Sequence, residues 1–391
     1  MTRPLLIIFL TIFVNLVGFG IIIPLLPFYA QTFGASPLVI GLLFASFSLC
    51  QLVASPVLGG WSDRYGRRPV LVFSLAGTVV SFVMLALAHS VTMLFLARII
   101  DGLSGGNIST ARAYVADITE PKDRARAFGL IGAAFGLGFI IGPALSGALA
   151  KISYTAPIWV AAAITLVATL MALVWLPETA HRAHAGVGNP LSYLPELLGR
   201  AAIRRVLLID FFYWFALAVF QAVFALFAAS RFEFDAVNTG YFFAAFGLLG
   251  VVVQGAFIRP LVRRLGDKRT FIVGLICSAC GLAAATFTHS VTMFALTLIP
   301  LSLGQGLGMP TVSSLVSRAA RREEQGRVQG AASAAESFGR TIGPVWGTGV
   351  LQRFGDFAPY TSAAALLVLT LLISVGYHAT DHDSSLATPA N

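Results

Sequence analysis

The pentapeptide His89-Ser90-Val91-Thr92-Met93 recurs unchanged as His289-Ser290-Val291-Thr292-Met293, 200 residues further along the chain. Other landmarks keep nearly the same offset. They are Gly66 and Gly266, Gly106 and Gly306, and the pairs Gly142-Pro143 and Gly343-Pro344. Two halves with the same landmarks in the same order are typical of parallel repeats related by an axis along the membrane normal. The sequence therefore predicts a duplicated membrane domain.

The composition requires a membrane environment. The chain has 391 residues, of which 57% are hydrophobic and 11% charged, and its mean hydropathy is +0.84. We predict an all-α polytopic membrane protein with twelve transmembrane helices in two pseudo-symmetric six-helix bundles. The first span lacks a signal-peptide cleavage site and is expected to be retained. The predicted spans are 5–30, 37–62, 69–88, 91–116, 125–150, 155–177, 204–230, 237–262, 269–288, 291–316, 327–352 and 357–378.

Polar and proline-rich segments set the predicted domain boundaries. The N-terminal bundle covers 1–177, a cytoplasmic linker 178–205 and the C-terminal bundle 206–378. Residues 379–391 form a polar tail that we expect to be disordered.

Basic residues are distributed asymmetrically along the chain. Of the 26 Lys and Arg, 20 fall at the N-terminal tip and in the even-numbered connections between spans, whereas the opposite connections hold only Lys151, Arg231 and Arg353. By the positive-inside rule, both termini are expected in the cytoplasm of a multi-pass protein of the cell inner (plasma) membrane. The net charge of +9 is thus explained by basic residues that orient the chain in a lipid bilayer. We predict no nucleic-acid partner.

No pattern indicates a metal, a cofactor or an enzyme. Cys277 and Cys280 have the spacing of a redox motif but lie inside an apolar run without a second pair. No Gly-x4-Gly-Lys-Ser/Thr segment is present, which argues against ATP as the energy source. We therefore expect a protein that is not an enzyme and that needs neither a cofactor nor a metal.

One connection carries a specific signature, Gly59-Gly-Trp-Ser-Asp63-Arg64-Tyr-Gly66-Arg67-Arg68-Pro69. It resembles the signature loop of the major facilitator superfamily, which implies the major facilitator fold and a latch between the halves. The equivalent loop of the second half keeps Gly266 but has Arg263 in place of Asp63. The resemblance predicts gating residues Gly59, Asp63, Arg64, Gly66, Arg67, Arg68, Asp117, Gly138, Gly142, Pro143, Gly343 and Pro344.

Further stretches narrow the resemblance. Arg98-Ile-Ile-Asp101-Gly102 resembles a helix-4 motif implicated in proton coupling, and the glycines from Gly132 to Gly147 resemble an antiporter motif. Asn15 to Pro27 resembles the twelve-helix drug:proton antiporter subgroup, and the second half is similar to tetracycline-efflux proteins. The chain departs from the tetracycline exporters at Asn15, where they carry an acid.

Six charged residues lie four or more residues inside the ends of the predicted spans: Arg98, Asp101, Arg112, Asp210, Glu336 and Arg340. Because a charge in the bilayer costs about 2.5–3.5 kcal/mol on insertion scales, such residues are functional hypotheses. On one continuous fourth helix, Asp101 and Arg112 would share a face. We predict proton coupling by Asp101, Arg98, Glu336 and Asp210. Alternatively, Arg98 and Asp101 form a static pair, and Glu336 and Arg340 a structural one.

Aromatic and amide side chains suggest where a compound would bind. Asp210, Tyr213, Trp214 and Gln221 fall within one sector of the seventh helix, and aromatic faces suit amphipathic or cationic organic molecules. The predicted substrate-binding residues are Asn15, Arg112, Tyr213, Trp214, Gln221, Gln305 and Arg340.

Two functional hypotheses follow for a secondary-active transporter. The first is proton-coupled efflux of small amphipathic organic compounds, multidrug or tetracycline-like, by alternating access. The alternative is a sugar or metabolite carrier, or a uniporter, in which the buried charges serve only as gates. Either would use a small-molecule substrate and function as a monomer in the bilayer, and the first also uses protons.

Overall fold

The computed structural model describes residues 3–105, 107–120, 123–179, 190–321 and 324–377, and its regular structure over these ranges is entirely helical. The all-α prediction is confirmed. The helices are α1 (Arg3–Gln31), α2 (Pro37–Tyr65), α3 (Arg67–Ala86), α4 (Val91–Ser104), α5 (Asn107–Ile118), α6 (Arg124–Ala150), α7 (Ala156–Trp175), α8 (Pro190–Gly199), α9 (Ala201–Phe232), α10 (Ala236–Ala256), α11 (Ile258–Thr286), α12 (Val291–Ala319), α13 (Gln325–Phe354) and α14 (Phe357–Val375).

These helices are consistent with twelve spans. Within the described ranges, ten helices are long and apolar enough to cross a membrane. The fourth span is divided between α4 and α5, and α13 provides the eleventh, 30 residues long but with Glu336 and Arg340 among its polar side chains. α8 is additional and lies in the segment that joins the bundles.

The prediction of one continuous helix over 91–116 is wrong. α4 ends at Ser104, where Gly105 donates its N–H to the Gly102 carbonyl at 3.1 Å. Consecutive glycines at 105 and 106 weaken a helix because they lose the most backbone freedom on folding. The Gln51 amide of α2 donates to the Gly105 carbonyl at 2.9 Å and satisfies a group at the break. Asp101 and Arg112 therefore lie on two successive helices, α4 and α5.

Two other predicted boundaries differ from the ends of the observed helices. The eighth span ends at Ala256, and residues 258–262 belong to α11, which bends at Gly266 with a φ of 76°. The predicted linker 178–205 contains α8 and the first turn of α9, while residues 180–189 lie outside the described chain. The predicted tail 379–391 also lies outside the described residues.

The repeated pentapeptide has the same structural role in both halves. Ser90 and Ser290 are the N-caps of α4 and α12, and each hydroxyl accepts a hydrogen bond from the backbone N–H three residues later, at 3.3 Å. This satisfies one of the free N–H groups at each helix start. Gly66 and Gly266 are likewise equivalent, with φ values of 104° and 76°. The duplication is therefore structural as well as sequential.

The two bundles, α1–α7 and α9–α14, meet at the end remote from residue 3, which we call the distal end. The backbone N–H of Leu38 at the start of α2 donates to Gln352 of α13 at 3.1 Å. Lys151, at the end of α6, lies 5.8 Å from the ring of Tyr241 on α10. These two contacts, between α2 and α13 and between α6 and α10, close the distal end of the interface.

Glycines on the facing helices show that the bundles diverge toward the other, proximal end. A Cβ on Gly41 would lie 2.6 Å from the Pro344 carbonyl oxygen, and one on Gly240 would lie 2.6 Å from the Gly147 nitrogen. These positions are distal. The proximal glycines of the same helices, at positions 59, 60, 129, 132, 250, 255 and 326, have open space within 4 Å of a Cβ. α6 and α10 stay in contact as far as Gly136, where a Cβ would lie 2.8 Å from a Val251 methyl group. The interface is therefore closed from the distal end to that level, and the proximal glycines beyond it are free of such contacts.

Candidate transport site

An ion pair lies inside the N-terminal bundle. The Arg98 guanidinium is 2.9 Å from an Asp101 carboxylate oxygen, and the two residues are 2% and 7% exposed. The guanidinium lies over the Phe47 ring at 4.2 Å. Because each charge compensates the other, the pair is tolerated at this depth, whereas either charge alone would be costly. The geometry is that of an i,i+3 pair on α4.

A second charged group lies in the C-terminal bundle. Asp210 of α9 is 1% exposed and interacts electrostatically with Glu336 and Arg340 of α13. The Arg340 guanidinium lies 5.3 Å from the centre of the Trp214 ring. We call Asp210, Trp214, Glu336 and Arg340 the ion cluster. It brings together four of the residues that the sequence predicted for coupling and binding.

The ion cluster and its neighbour Tyr213 have unused hydrogen-bonding capacity. Tyr213 Oη and Arg340 Nε are buried without a hydrogen-bond partner, and Asp210 Oδ2 and Trp214 Nε1 are buried near each other without a hydrogen bond of ideal geometry. A buried polar atom without a partner costs about 1–3 kcal/mol, so several in one place suggest a binding site. Three of these atoms are donors and one is an acceptor.

Arg112 connects the cluster to the other bundle. It lies on α5, is exposed, and interacts electrostatically with Glu336. Arg112 remains exposed although its charge interacts with a carboxylate of the opposite bundle, which indicates that α5 and α13 are separated by open space at this level. The charges of Arg112 and Glu336 therefore interact across the interface between the bundles.

The remaining predicted binding residues occupy different places. Tyr213 and Gln305 line one cavity inside the C-terminal bundle. Gln221 is half-buried on α9, one turn or more distal to that cavity's Leu217, and Asn15 is half-buried on α1 in the other bundle. The structure brings Tyr213 and Gln305 together and leaves Asn15 apart from them.

The predicted gating loop is an ion-paired turn. Arg67 contacts Asp63 at 2.6 Å and Asp117 at 3.2 Å, so the loop is joined to the end of α5. Gly66 has a φ of 104°, which suits glycine. Arg64 lies 5.4 Å from the Tyr65 ring, and Arg68 donates to the Leu173 carbonyl. Gly59, in the last turns of α2, faces open space.

Glu178 is a further residue of this loop that no sequence motif indicated. Its carboxylate accepts hydrogen bonds from the backbone N–H of Arg67 at 2.9 Å and of Thr179 at 3.0 Å. The carboxylate thus caps the start of α3, where a negative charge is favourable. The only signal was a lone acid directly after Pro177, at the end of the sixth span.

The equivalent loop of the second half has reversed polarity. Asp267 occupies the place of Arg67 and contacts Arg318 of α12 at 2.7 Å, where Arg67 contacts Asp117. Ser314 also donates to Asp267 at 2.9 Å. Each half therefore ties the start of its third span to the proximal end of its fourth, with opposite charges.

The other predicted gating residues lie where helices approach most closely. Gly138 and Gly142 of α6 pack against α1, and the Pro143 carbonyl lies 2.7 Å from the position of a Cβ on Gly240. Gly343 packs against α9, and the Pro344 carbonyl faces Gly41. These residues therefore contribute to the distal closure or support the helices that form it.

Among the described residues, no group of three or more His, Cys, Asp or Glu is arranged to hold a metal ion. Cys277 and Cys280 are free thiols on α11. The site thus consists of two buried charged groups beside a cleft between pseudo-symmetric bundles. This arrangement defines a secondary transporter of the membrane.

The chain belongs to the Major Facilitator Superfamily, whose family model matches residues 8–344 and 255–390. It is 32% identical to the tetracycline resistance protein, class C, of Escherichia coli over 88% of both chains. It is 29% identical to multidrug resistance protein 1 of Bacillus subtilis (strain 168) over 95% of both chains. The family and these relatives are transporters, not enzymes.

Solved structures share the fold. The human organic anion transporter MFSD10 (TETRAN) is 25% identical, with a TM-score of 0.73 over 95% of this chain and 99% of that one. A mutant of the nucleoside transporter NupG has a TM-score of 0.81 at 13% identity, over 96% of this chain and 99% of that one, which shows the fold alone. The predicted major facilitator fold is confirmed.

Proposed function

We propose that the protein exports small amphipathic organic compounds in exchange for protons, by alternating access. The observation that carries this proposal is the ion cluster, in which two carboxylates and an arginine with unpartnered polar atoms adjoin a cleft closed at one end. The relatives named for tetracycline and multidrug resistance support efflux and do not favour the sugar or metabolite carrier.

Asp101, Asp210 and Glu336 are the proposed proton carriers, and Arg98 modulates Asp101. A proton on a carboxylate removes its ion-pair attraction, so the balance of charge in each bundle changes with protonation. Asp210 and Glu336 share one nearby arginine within their bundle, so one of the two acids is the less compensated and can carry a proton.

We assign the proximal end to the cytoplasm of the inner membrane, with both termini there, because 20 of the 26 basic residues fall at the N-terminal tip and in the even-numbered connections of the sequence. On this assignment the described conformation faces inward. The ion-paired loops at Arg67 and Asp267 would then stabilise each bundle at its cytoplasmic end. The protein functions as a monomer in this proposal.

The binding face follows from the same geometry. Trp214 and Arg340 offer a ring and donors, and Asp210 offers an acceptor to an amine. Arg112 and Gln221 extend the face. Asn15 lacks the carboxylate expected of a tetracycline exporter, so a broader range of amphipathic compounds is the favoured substrate class.

Purified protein in proteoliposomes with an internal pH dye tests this function. Tetracycline, ethidium and tetraphenylphosphonium are added in turn. We expect at least one of them to evoke proton flux, and we expect Asp101→Asn to reduce that flux more than tenfold because the side chain no longer titrates. Asp356→Asn, at the distal end, is the matched control and is expected to resemble wild type.

Asp210→Asn and Glu336→Gln are measured in the same way to separate the two charged groups. Loss of flux in either variant, with compound binding retained, supports coupling at the ion cluster. If all three variants keep wild-type proton flux, the assignment of the carriers is wrong.

A further inference from the structure

α11 begins with a short amphipathic segment at the proximal end of the C-terminal bundle. Residues 258–265 precede the bend at Gly266 and directly follow the apolar helix Ala236–Ala256, which is long enough to cross the membrane. At about 100° per residue, four apolar residues share one side of this segment and three arginines share the other. They are Ile258, Leu261, Val262 and Leu265, and Arg259, Arg263 and Arg264. We call residues 258–265 the arginine segment.

The positive charge of this region is not compensated by the protein around it. Glu196 and Glu324, two acids at this end of the bundle, are both paired with Arg200. Asp267 is paired with Arg318. Within the described chain, four exposed arginines have neither a hydrogen bond nor an ion pair: Arg259, Arg263, Arg264 and Arg269.

The equivalent segment of the first half is neutralised and covered. Asp63 stands where the second half has Arg263, and it is ion-paired within its own loop. A Cβ on Gly66 would lie 2.6 Å from a Glu178 carboxylate oxygen, whereas a Cβ on Gly266 would have no atom of the described chain within 4 Å. The two halves share the bend, but only the second leaves a cluster of arginines open to its surroundings.

Exposed apolar side chains adjoin these arginines. Phe257 and Leu265 are 49% and 39% exposed, at the point where the span Ala236–Ala256 ends. Apolar and basic side chains together at the end of a span are suited to the level where acyl chains meet lipid headgroups. A guanidinium group binds phosphate oxygens in a bidentate manner, and basic residues at this level attract anionic lipids.

We propose that the arginine segment and Arg269 bind the phosphate groups of an anionic phospholipid, whose acyl chains contact Phe257 and Leu265. Four guanidinium groups exceed the charge of one phosphate. A lipid with two phosphates, such as cardiolipin, is therefore expected to bind more tightly than phosphatidylglycerol. This surface lies outside the ion cluster, and the inference depends neither on proton coupling nor on the transported compound.

Native mass spectrometry of the purified full-length protein in detergent tests the site by titration with cardiolipin, phosphatidylglycerol and phosphatidylcholine. The double variant Arg263→Gln with Arg264→Gln is expected to weaken cardiolipin binding by about 10- to 30-fold and to leave phosphatidylcholine binding unchanged. Arg204→Gln with Arg353→Gln is the matched control. It removes the same charge from two other exposed positions and is expected to bind cardiolipin as wild type.

Thermal unfolding with and without cardiolipin provides a second measurement. Both double variants alter exposed side chains, so without lipid they are expected to unfold at the wild-type temperature. Cardiolipin is expected to raise the unfolding temperature of wild type and of the control, but not that of the Arg263/Arg264 variant. This stabilisation is expected to decrease as the salt concentration rises, because the attraction is between exposed charges.

Equal cardiolipin binding by the two double variants would overturn the proposal. Phosphatidylcholine bound as tightly as cardiolipin would also overturn it, because the headgroup charge would then not be recognised. Displacement of cardiolipin by an equal concentration of inorganic phosphate would identify a site for a free anion. Cardiolipin binding that appears only after Asp381→Asn with Asp383→Asn would assign the arginines to the acidic C-terminal tail and not to a lipid.

Discussion

Gly240→Val is expected to open the distal closure of the cleft. A Cβ at this position would lie 2.6 Å from the Gly147 nitrogen and 2.7 Å from the Pro143 carbonyl oxygen, both backbone atoms that cannot rotate away. Overpacking of this kind costs about 1–3 kcal/mol. Because only the distally closed state contains the contact, the equilibrium is expected to shift toward distal opening by about 5- to 150-fold.

Distances between spin labels measure this shift. Labels are placed at Ile152→Cys and Phe354→Cys, two exposed distal positions in opposite bundles, after the three native cysteines are replaced. Gly255→Val is the matched control, because a Cβ there has open space on the same helix. Identical distance distributions for Gly240→Val and Gly255→Val would show that α6 and α10 do not form the closure.

Arg98→Met is expected to destabilise the protein by about 3–5 kcal/mol, because it leaves Asp101 buried without its partner. The double variant Arg98→Met with Asp101→Leu is expected to recover most of that stability while losing compound-evoked proton flux. Replacing a buried ion pair by apolar side chains of similar size is often neutral for stability.

Unfolding in detergent, followed by heat or by denaturant, measures these effects. Arg64→Met removes an exposed arginine of α2 and serves as the control, with little expected change. If Arg98→Met is as stable as wild type, burial of the Asp101 carboxylate does not depend on its ion pair with Arg98. Full proton flux in the double variant would remove Asp101 from the coupling mechanism.

Much of the fold could be predicted from short stretches of the sequence. The serine of the repeated pentapeptide is the N-cap of α4 and of α12, so an identity between distant segments corresponds to an identical local structure. The paired spacing of Arg98 and Asp101 also gave their contact, because residues three apart on a helix are neighbours.

Long-range contacts explain what the sequence could not predict. The end of α4 depends on the Gln51 amide, more than 50 residues earlier, and the start of α3 depends on Glu178, more than 100 residues later. Tyr213 and Trp214 are adjacent in sequence, yet one lines the cavity and the other faces Arg340. Side chains about 100° apart on a helix reach different neighbours, and only the packing of α9 decides which.

Accumulation against a concentration gradient tests the central claim of proton-coupled transport most directly. Labelled tetraphenylphosphonium, a permanent cation that a pH gradient alone does not trap, is presented to proteoliposomes whose interior is more acidic than the medium, with the membrane potential held at zero and with or without a protonophore. Proton-coupled transport predicts accumulation above the equilibrium level that collapses when the protonophore is added and is absent from protein-free liposomes treated identically. Protein-dependent entry that stops at equilibrium, whatever the pH gradient, would contradict proton coupling and identify a uniporter.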